Sequence, residues 1–235
     1  GTDTGGRVSF DYRHLNLWGA AHELVGKMLI AEWRQQLETT YIIPDRRRLD
    51  SLTLLTLGTE REDLDTYYRR EVFGEAEYRR SFGRGLKGAL FIRTTSERSR
   101  VADSDTRTQL LLQGFRLSWQ QLDDPITPES GSRIELEVQG ADENWFSDTT
   151  LLQLSVDAAA LMPLPQRFSV FIRFHGGTTW HRHEFNTLPV SLRYFAGGDR
   201  SVRGFKYNSL GPLNDDGEVV GGKHLLVGSV ELEKR

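Results

Sequence analysis

The 235-residue chain contains no cysteine. Disulfides, thiolate metal sites and a cysteine nucleophile are therefore excluded together. Apolar residues other than glycine make up 37%, and the mean hydropathy is −0.49. No run approaches the roughly 18 apolar residues of a membrane-spanning helix. Basic residues are not in excess. Thirty Lys and Arg stand against 33 Asp and Glu, leaving a net charge of −3 and a pI near 6.1, so no basic surface marks a nucleic-acid binder. Fixed-period repeats and low-complexity tracts are missing, which argues against a solenoid or propeller. Disorder is a poor fit as well, because 10% of residues are aromatic. A membrane β-barrel escapes all of these exclusions, since its strands alternate and keep mean hydropathy low.

What the chain does have is alternation. In 7–13, Val8, Phe10 and Tyr12 fall on one face and Arg7, Ser9, Asp11 and Arg13 on the other. In 133–139, Ile134, Leu136 and Val138 oppose Arg133, Glu135, Glu137 and Gln139. In 167–175, Phe168, Val170, Ile172 and Phe174 oppose Ser169, Arg173 and His175, with Phe171 as the exception. In 226–233, Leu226, Val230 and Leu232 oppose Ser229, Glu231 and Glu233. A period of two in four places predicts half-buried β-strands. Weaker strands fit 22–33, 36–44, 51–60, 67–80, 86–97, 107–120 and 149–161. The fold class is all-β, with about eleven strands of roughly 9–13 residues, long enough to cross a bilayer at a steep tilt. Short turns ("NLWGA", "SFGRG", "PLPQ") are set against longer charged connections ("EREDLD", "SERSRVADSDTR", "ADENWFSD"), as when the two rims of a barrel face different compartments. Alternation alone also fits a soluble β-sandwich binding module, whose polar faces meet water while its apolar faces pack together.

Two motifs separate these readings. The first is "FAGGDRSVRGFKYNSLGP", inside 193–212, built on Gly197, Gly198, Asp199 and the tetrapeptide Val202, Arg203, Gly204, Phe205. It resembles the sixth extracellular loop of the BamA/TamA superfamily of outer-membrane barrels. The flanking "GGDRS" and "SLGP" look most like the TamA branch, the translocation and assembly module. The second is "SWQQLDDPITPESGSRIELEVQG", with Asp123, Asp124, Pro125, Pro128 and Gly131. It is similar to a periplasmic turn of the same superfamily. A weaker match, "GRVSFDYRHLNLWGAAHEL", resembles that barrel's second-strand hairpin.

The resemblance covers essentially the whole chain and implies a transmembrane antiparallel barrel, of which 1–235 is a single partial domain, about strands 2–12 of sixteen. POTRA domains and the last strands are expected outside it. It implies outer-membrane location in a Gram-negative cell. The implied activity is insertion or translocation of autotransporter-type client barrels, with no bond chemistry, no cofactor and no nucleic acid. A TamB-like inner-membrane partner, client outer-membrane proteins and the lipid bilayer are the implied partners. The alternative within the superfamily is a two-partner secretion transporter exporting one polypeptide.

The loop can also be read from its residues. Gly197, Gly198 and Gly204 allow the chain to fold sharply back, which would bring Arg203 into a narrow lumen. A guanidinium there needs a carboxylate. If Leu226, Val230 and Leu232 face lipid, Glu231 faces the lumen, and the resemblance points to the same residue as the partner of Arg203. Elsewhere, His181 and His183 have metal-ligand spacing without an evident third ligand. Arg46, Arg47 and Arg48 form a turn that could touch anionic lipid heads. Trp18, Trp33, Trp119, Trp145 and Trp180 fall near strand ends, as an aromatic girdle requires. Gly85, Leu86, Lys87 and Gly88 lack phosphate-loop spacing. Asp123 and Asp124, before a proline, read as turn caps rather than an acid/base pair.

Overall fold

The computed structural model describes residues 6–234 except Pro125, Thr127 and Arg200. Eleven strands form a single antiparallel sheet whose spatial order is the chain order. They are β1 (Arg7–Leu17), β2 (His22–Ala31), β3 (Arg34–Pro44), β4 (Ser51–Asp63), β5 (Tyr67–Gly83), β6 (Leu86–Val101), β7 (Ser104–Leu122), β8 (Gly131–Ala141), β9 (Leu151–Leu164), β10 (Phe168–His181) and β11 (His224–Lys234). Every strand pairs with its sequence neighbour, so each hydrogen-bonded edge inside the sheet is satisfied by a simple meander.

Strand number and position follow the alternation, but the strands run further than it suggests. β5, β6 and β7 reach 17, 16 and 19 residues. The charged stretches read as connections are their continuations, closed by tight turns at 64–66 and 102–103. The physical reason lies in the residues themselves. Beyond the apolar band of the outer face both faces are polar, so the period of two in hydrophobicity disappears while the ladder hydrogen bonds continue.

The two faces of the sheet differ in kind. One carries exposed apolar side chains: Leu57 is 70% exposed, Leu90 67%, Leu226 76% and Val230 71%. No second sheet covers this face among the described residues, which removes the β-sandwich reading. The other face carries Glu71, Glu77, Arg69 and Glu97, all buried. It is called the inner face here because the long connection between β10 and β11 lies on it. Phe171, out of step with its neighbours, belongs to this inner face, with the Arg173 guanidinium 5.6 Å from its ring centre. Of the tryptophans, Trp18, Trp145 and Trp180 are more than half exposed. Trp33 instead packs on Tyr207 of the long connection, ring centres 5.1 Å apart.

Candidate functional site

The inner wall is laced with ion pairs. Arg69 on β5 reaches Glu60, Glu62 and Glu71 at 2.7, 3.3 and 2.7 Å. Arg93 on β6 binds Glu71 at 2.7 Å and lies 4.0 Å from the centre of the Phe73 ring. Arg116 on β7 joins Glu75 at 2.8 Å and Glu137 at 2.5 Å, above Phe91. Arg69 and its three glutamates are buried but paired, the condition under which a charged side chain tolerates burial, while Arg93, Arg116 and Glu137 are partly exposed. They knit β4 to β8 into one wall facing the connection 182–223.

That connection is fastened along its length. Glu97, only 2% exposed, accepts hydrogen bonds from the backbone N–H groups of Val190 at 2.8 Å and Ser191 at 3.3 Å. On either side of this polar pin, Leu188 and Leu192 pack with Leu110, Leu112, Ala141 and Leu151 of the wall. Val190 packs with Tyr67 and Val101. Arg193 closes the segment on itself, donating to the carbonyls of Leu188, Val220 and Asn186 at 2.8, 3.1 and 3.0 Å. Burial pulls its pKa down to about 10, so it remains a cation at neutral pH, as a donor to three carbonyls must. Tyr194 donates to the Leu154 carbonyl at 3.3 Å and contacts Ser155 Oγ at 3.0 Å. The ring fits because Gly177 on β10 lacks a side chain: a Cβ there would lie 2.3 Å from the ring.

Beyond Tyr194 the chain doubles back. Gly197 has φ +112°, and a Cβ on it would meet the Lys206 carbonyl at 2.1 Å. Gly198 donates to the Phe205 carbonyl at 3.0 Å, and Ser201 Oγ accepts from Gly197 at 2.7 Å. This fold carries Arg203 to Glu231 on β11, with Nη2 at 3.1 and 3.2 Å from the two carboxylate oxygens. Glu231 also accepts from Arg173 of β10 at 2.6 Å. The Arg203 side chain is 63% exposed and Glu231 24% in this open sheet, where β11 is an edge strand. The opposite flank of the same fold reaches the β4–β5 turn: Lys206 Nζ meets Asp65 at 2.7 Å, Thr66 Oγ1 donates to the Asn208 carbonyl at 3.2 Å, and Asn208 Nδ2 donates to the Tyr67 hydroxyl at 3.0 Å. The tip therefore spans from β11 to the β4–β5 turn. Phe205 is half exposed, and Val202 is 36% exposed; Asp199 is exposed in a turn.

Arg173 and Glu97 are the functional contacts that sequence reading misses. Arg173 had a signal, since it shares the polar face of 167–175 with Ser169 and His175. Glu97 had none, because its partners lie more than 90 residues away.

At the other rim, Asp123 caps the β7–β8 turn. Its carboxylate accepts from the N–H groups of Asp124, Glu129 and Ser130 at 2.9, 3.1 and 3.0 Å, and Asp124 accepts from Ile126 at 2.7 Å. The Ser130 N–H, with those of Asp124 and Glu129, holds the Asp123 carboxyl below its usual range despite the opposing effect of desolvation. Pro128 lies in the same turn and Gly131 opens β8, while Pro125 lies outside the described residues. Arg46, Arg47 and Arg48 are exposed in the β3–β4 turn. His181 contacts Thr149 Oγ1 at 2.8 Å, and His183 contacts the Glu143 carboxylate. No cluster of three candidate metal ligands occurs among the described residues.

An antiparallel meander with an apolar outer face, an ion-paired inner face and a long connection folded onto that inner face has the design of a transmembrane β-barrel wall. The chain belongs to the Omp85 superfamily: residues 16–233 match the Omp85 superfamily domain. Among solved structures it is similar to BamA from Haemophilus ducreyi, in a crystal structure lacking POTRA domains 1–3, with a TM-score of 0.79 and 17% identity. That likeness covers 98% of this chain and 53% of the BamA chain, so the present chain spans about half of that structure. At this identity the likeness establishes the fold alone.

Proposed function

We propose that these residues are the greater part of the barrel of an outer-membrane factor that promotes insertion or translocation of other outer-membrane β-proteins. Membership of the Omp85 superfamily supports this reading at the family level. The observation that carries it is the Val202–Arg203–Gly204–Phe205 turn, folded back so that Arg203 meets Glu231. A connection fastened to the inner wall at Glu97, Tyr194, Asn208 and Glu231 fits poorly with an open diffusion pore. The finer reading is the TamA branch, with autotransporter-type clients and a TamB-like inner-membrane partner. It rests on the "GGDRS" and "SLGP" flanks. A client strand would be received by strand addition to a sheet edge, where backbone hydrogen bonds supply affinity.

The test is reconstitution of the full-length protein in liposomes with an unfolded outer-membrane barrel as client. The expected result is faster client folding than in empty liposomes. A correctly inserted protein that leaves the rate unchanged contradicts the assembly reading. Recovery of a TamB-like partner from native membranes supports the branch, whereas export of one dedicated soluble polypeptide assigns the protein to two-partner secretion instead.

A further inference from the structure

The outer face of the sheet carries a feature that neither the wall nor the loop explains. Arg61 on β4 pairs in register with Arg70 on β5, Arg70 with Arg98 on β6, and Arg98 with Arg107 on β7. Four arginines thus stand side by side on four consecutive strands, along about 14 Å of rim at ~4.8 Å per strand. All four are exposed. Like charges directly opposite on neighbouring strands repel, so three such pairs in one row destabilise the sheet unless an anion lies against them.

The protein supplies only part of that anion. Asp63 reaches Arg61 at 3.1 Å, and Asp105 reaches Arg98 at 2.9 Å. Among the described residues no carboxylate lies within 4.0 Å of Arg70, Arg107 or Arg100, the last of which is paired with Tyr68 in the next row. Tyr68 lies between Arg61 and Arg100, 5.5 and 6.0 Å from their guanidinium carbons. Five arginines against two aspartates leave the two rows with a charge of +3, offset in part by Asp103 at the hairpin tip.

The position of the row decides what the anion is. One step below lie Thr59, Val72, Ser96 and Gln109, and below them the exposed apolar band of Leu57, Ile92 and Leu90. From Leu86, paired with Trp119, to Arg98 is about 40 Å of strand at ~3.3 Å per residue, or about 30 Å along the bilayer normal at a tilt of roughly 40°. That height is where the hydrocarbon ends and the lipid heads begin. The row is on the rim that carries the long connection. It is continuous with the lipid-contacting face, so the anion comes from the membrane rather than from a soluble partner. Guanidinium groups suit phosphate, which they bind through two parallel hydrogen bonds.

We infer that Arg61, Arg70, Arg98 and Arg107 form a binding rail for phosphate-bearing lipid heads of net negative charge in the leaflet on the loop side, with Arg100 and Tyr68 completing its upper margin. The inference rests on the sheet crossing a membrane and not on the assembly activity. In the outer membrane the ligand class would be a phosphorylated glycolipid. Such a rail would hold the β4–β7 wall at a fixed depth and orientation while other parts of the barrel move.

The full-length protein in detergent tests this, because no client is involved and a failed assembly reading leaves the measurement intact. Thermal unfolding is followed with added lipid A, with phosphatidylethanolamine and with inorganic phosphate. Lipid A should raise the midpoint of the parent protein, and phosphatidylethanolamine and inorganic phosphate should not. In the Arg70→Gln/Arg107→Gln double variant the apparent lipid A affinity should fall on the order of ten-fold or more. Without lipid the variant should be no less heat-stable than the parent, since repulsion is relieved. Raising salt from about 0.05 M to about 0.5 M should weaken the lipid effect on the parent, a readout that survives if the variant does not fold. An equal lipid effect in parent and variant overturns the rail, as does an effect indifferent to salt. A response to inorganic phosphate equal to that of lipid A overturns the lipid assignment, and an equal response to phosphatidylethanolamine overturns the rail as an anion site.

Discussion

Glu231 is better understood as a shared carboxylate than as half of a pair. Arg203 approaches it from the connection and Arg173 from the neighbouring strand. Glu231→Ala therefore removes two contacts, and Arg203→Ala only one. In the full-length protein both variants should raise hydrogen exchange at Gly198 and Phe205, by about two-fold or more, since even a solvated ion pair contributes up to ~1 kcal/mol. Only Glu231→Ala should also loosen the β10–β11 ladder around Arg173. Unchanged exchange in both variants contradicts the pinning role. Glu97 makes a different case, because it is nearly inaccessible. Glu97→Ala leaves two backbone N–H groups without their acceptor, a loss of about 2–4 kcal/mol. Glu97→Gln keeps an acceptor for one of them and faces the other with an NH2 group, so it should lose less. The check is proteolysis within 185–195, which should accelerate strongly in the alanine variant and less in the glutamine one.

Among the elements, the β7–β8 turn shows how a short motif acts locally. Asp123 gathers three N–H groups, and its carboxyl is held below the ordinary value by them. A carboxyl with a depressed folded pKa contributes fully above its unfolded pKa and loses that contribution as pH falls through the folded value. Protection of the Glu129 and Ser130 amides should therefore be complete at neutral pH and vanish only on acidification below the ordinary aspartate range. In Asp123→Asn it should be weaker at neutral pH and show no such transition. The strand extensions carry a related lesson. The eleven strands and the facing of Val8, Ile134, Ile172 and Leu232 were legible because lipid outside and charge inside impose a strict period of two. The upper reaches of β4 to β7 were not legible. There Arg61, Arg70, Arg98 and Arg107 point out while Glu60, Arg69, Glu97 and Thr108 point in, and hydrophobicity no longer distinguishes the faces.

For the molecule as a whole, the sequence discloses the tip of the long connection and hides its anchoring. The Val202–Phe205 turn and Glu231 can be paired from strand phase. The seats of Val190, Tyr194 and Asn208 cannot, because each depends on a wall residue brought close only by sheet formation across many strands. The connection thereby acts as a brace between β11 and the β4–β5 turn, with an apolar seat on β7 to β9 in between. This bracing is the central claim. The absence of native cysteine makes it directly measurable: Thr66→Cys and Asn208→Cys are introduced together in the full-length protein and treated in intact membranes with a short thiol-specific crosslinker. The contact of Thr66 with the Asn208 backbone predicts near-complete crosslinking, and little when Thr66→Cys is paired instead with a cysteine at exposed Arg46. Equal, low crosslinking of both pairs would contradict a connection braced across the wall.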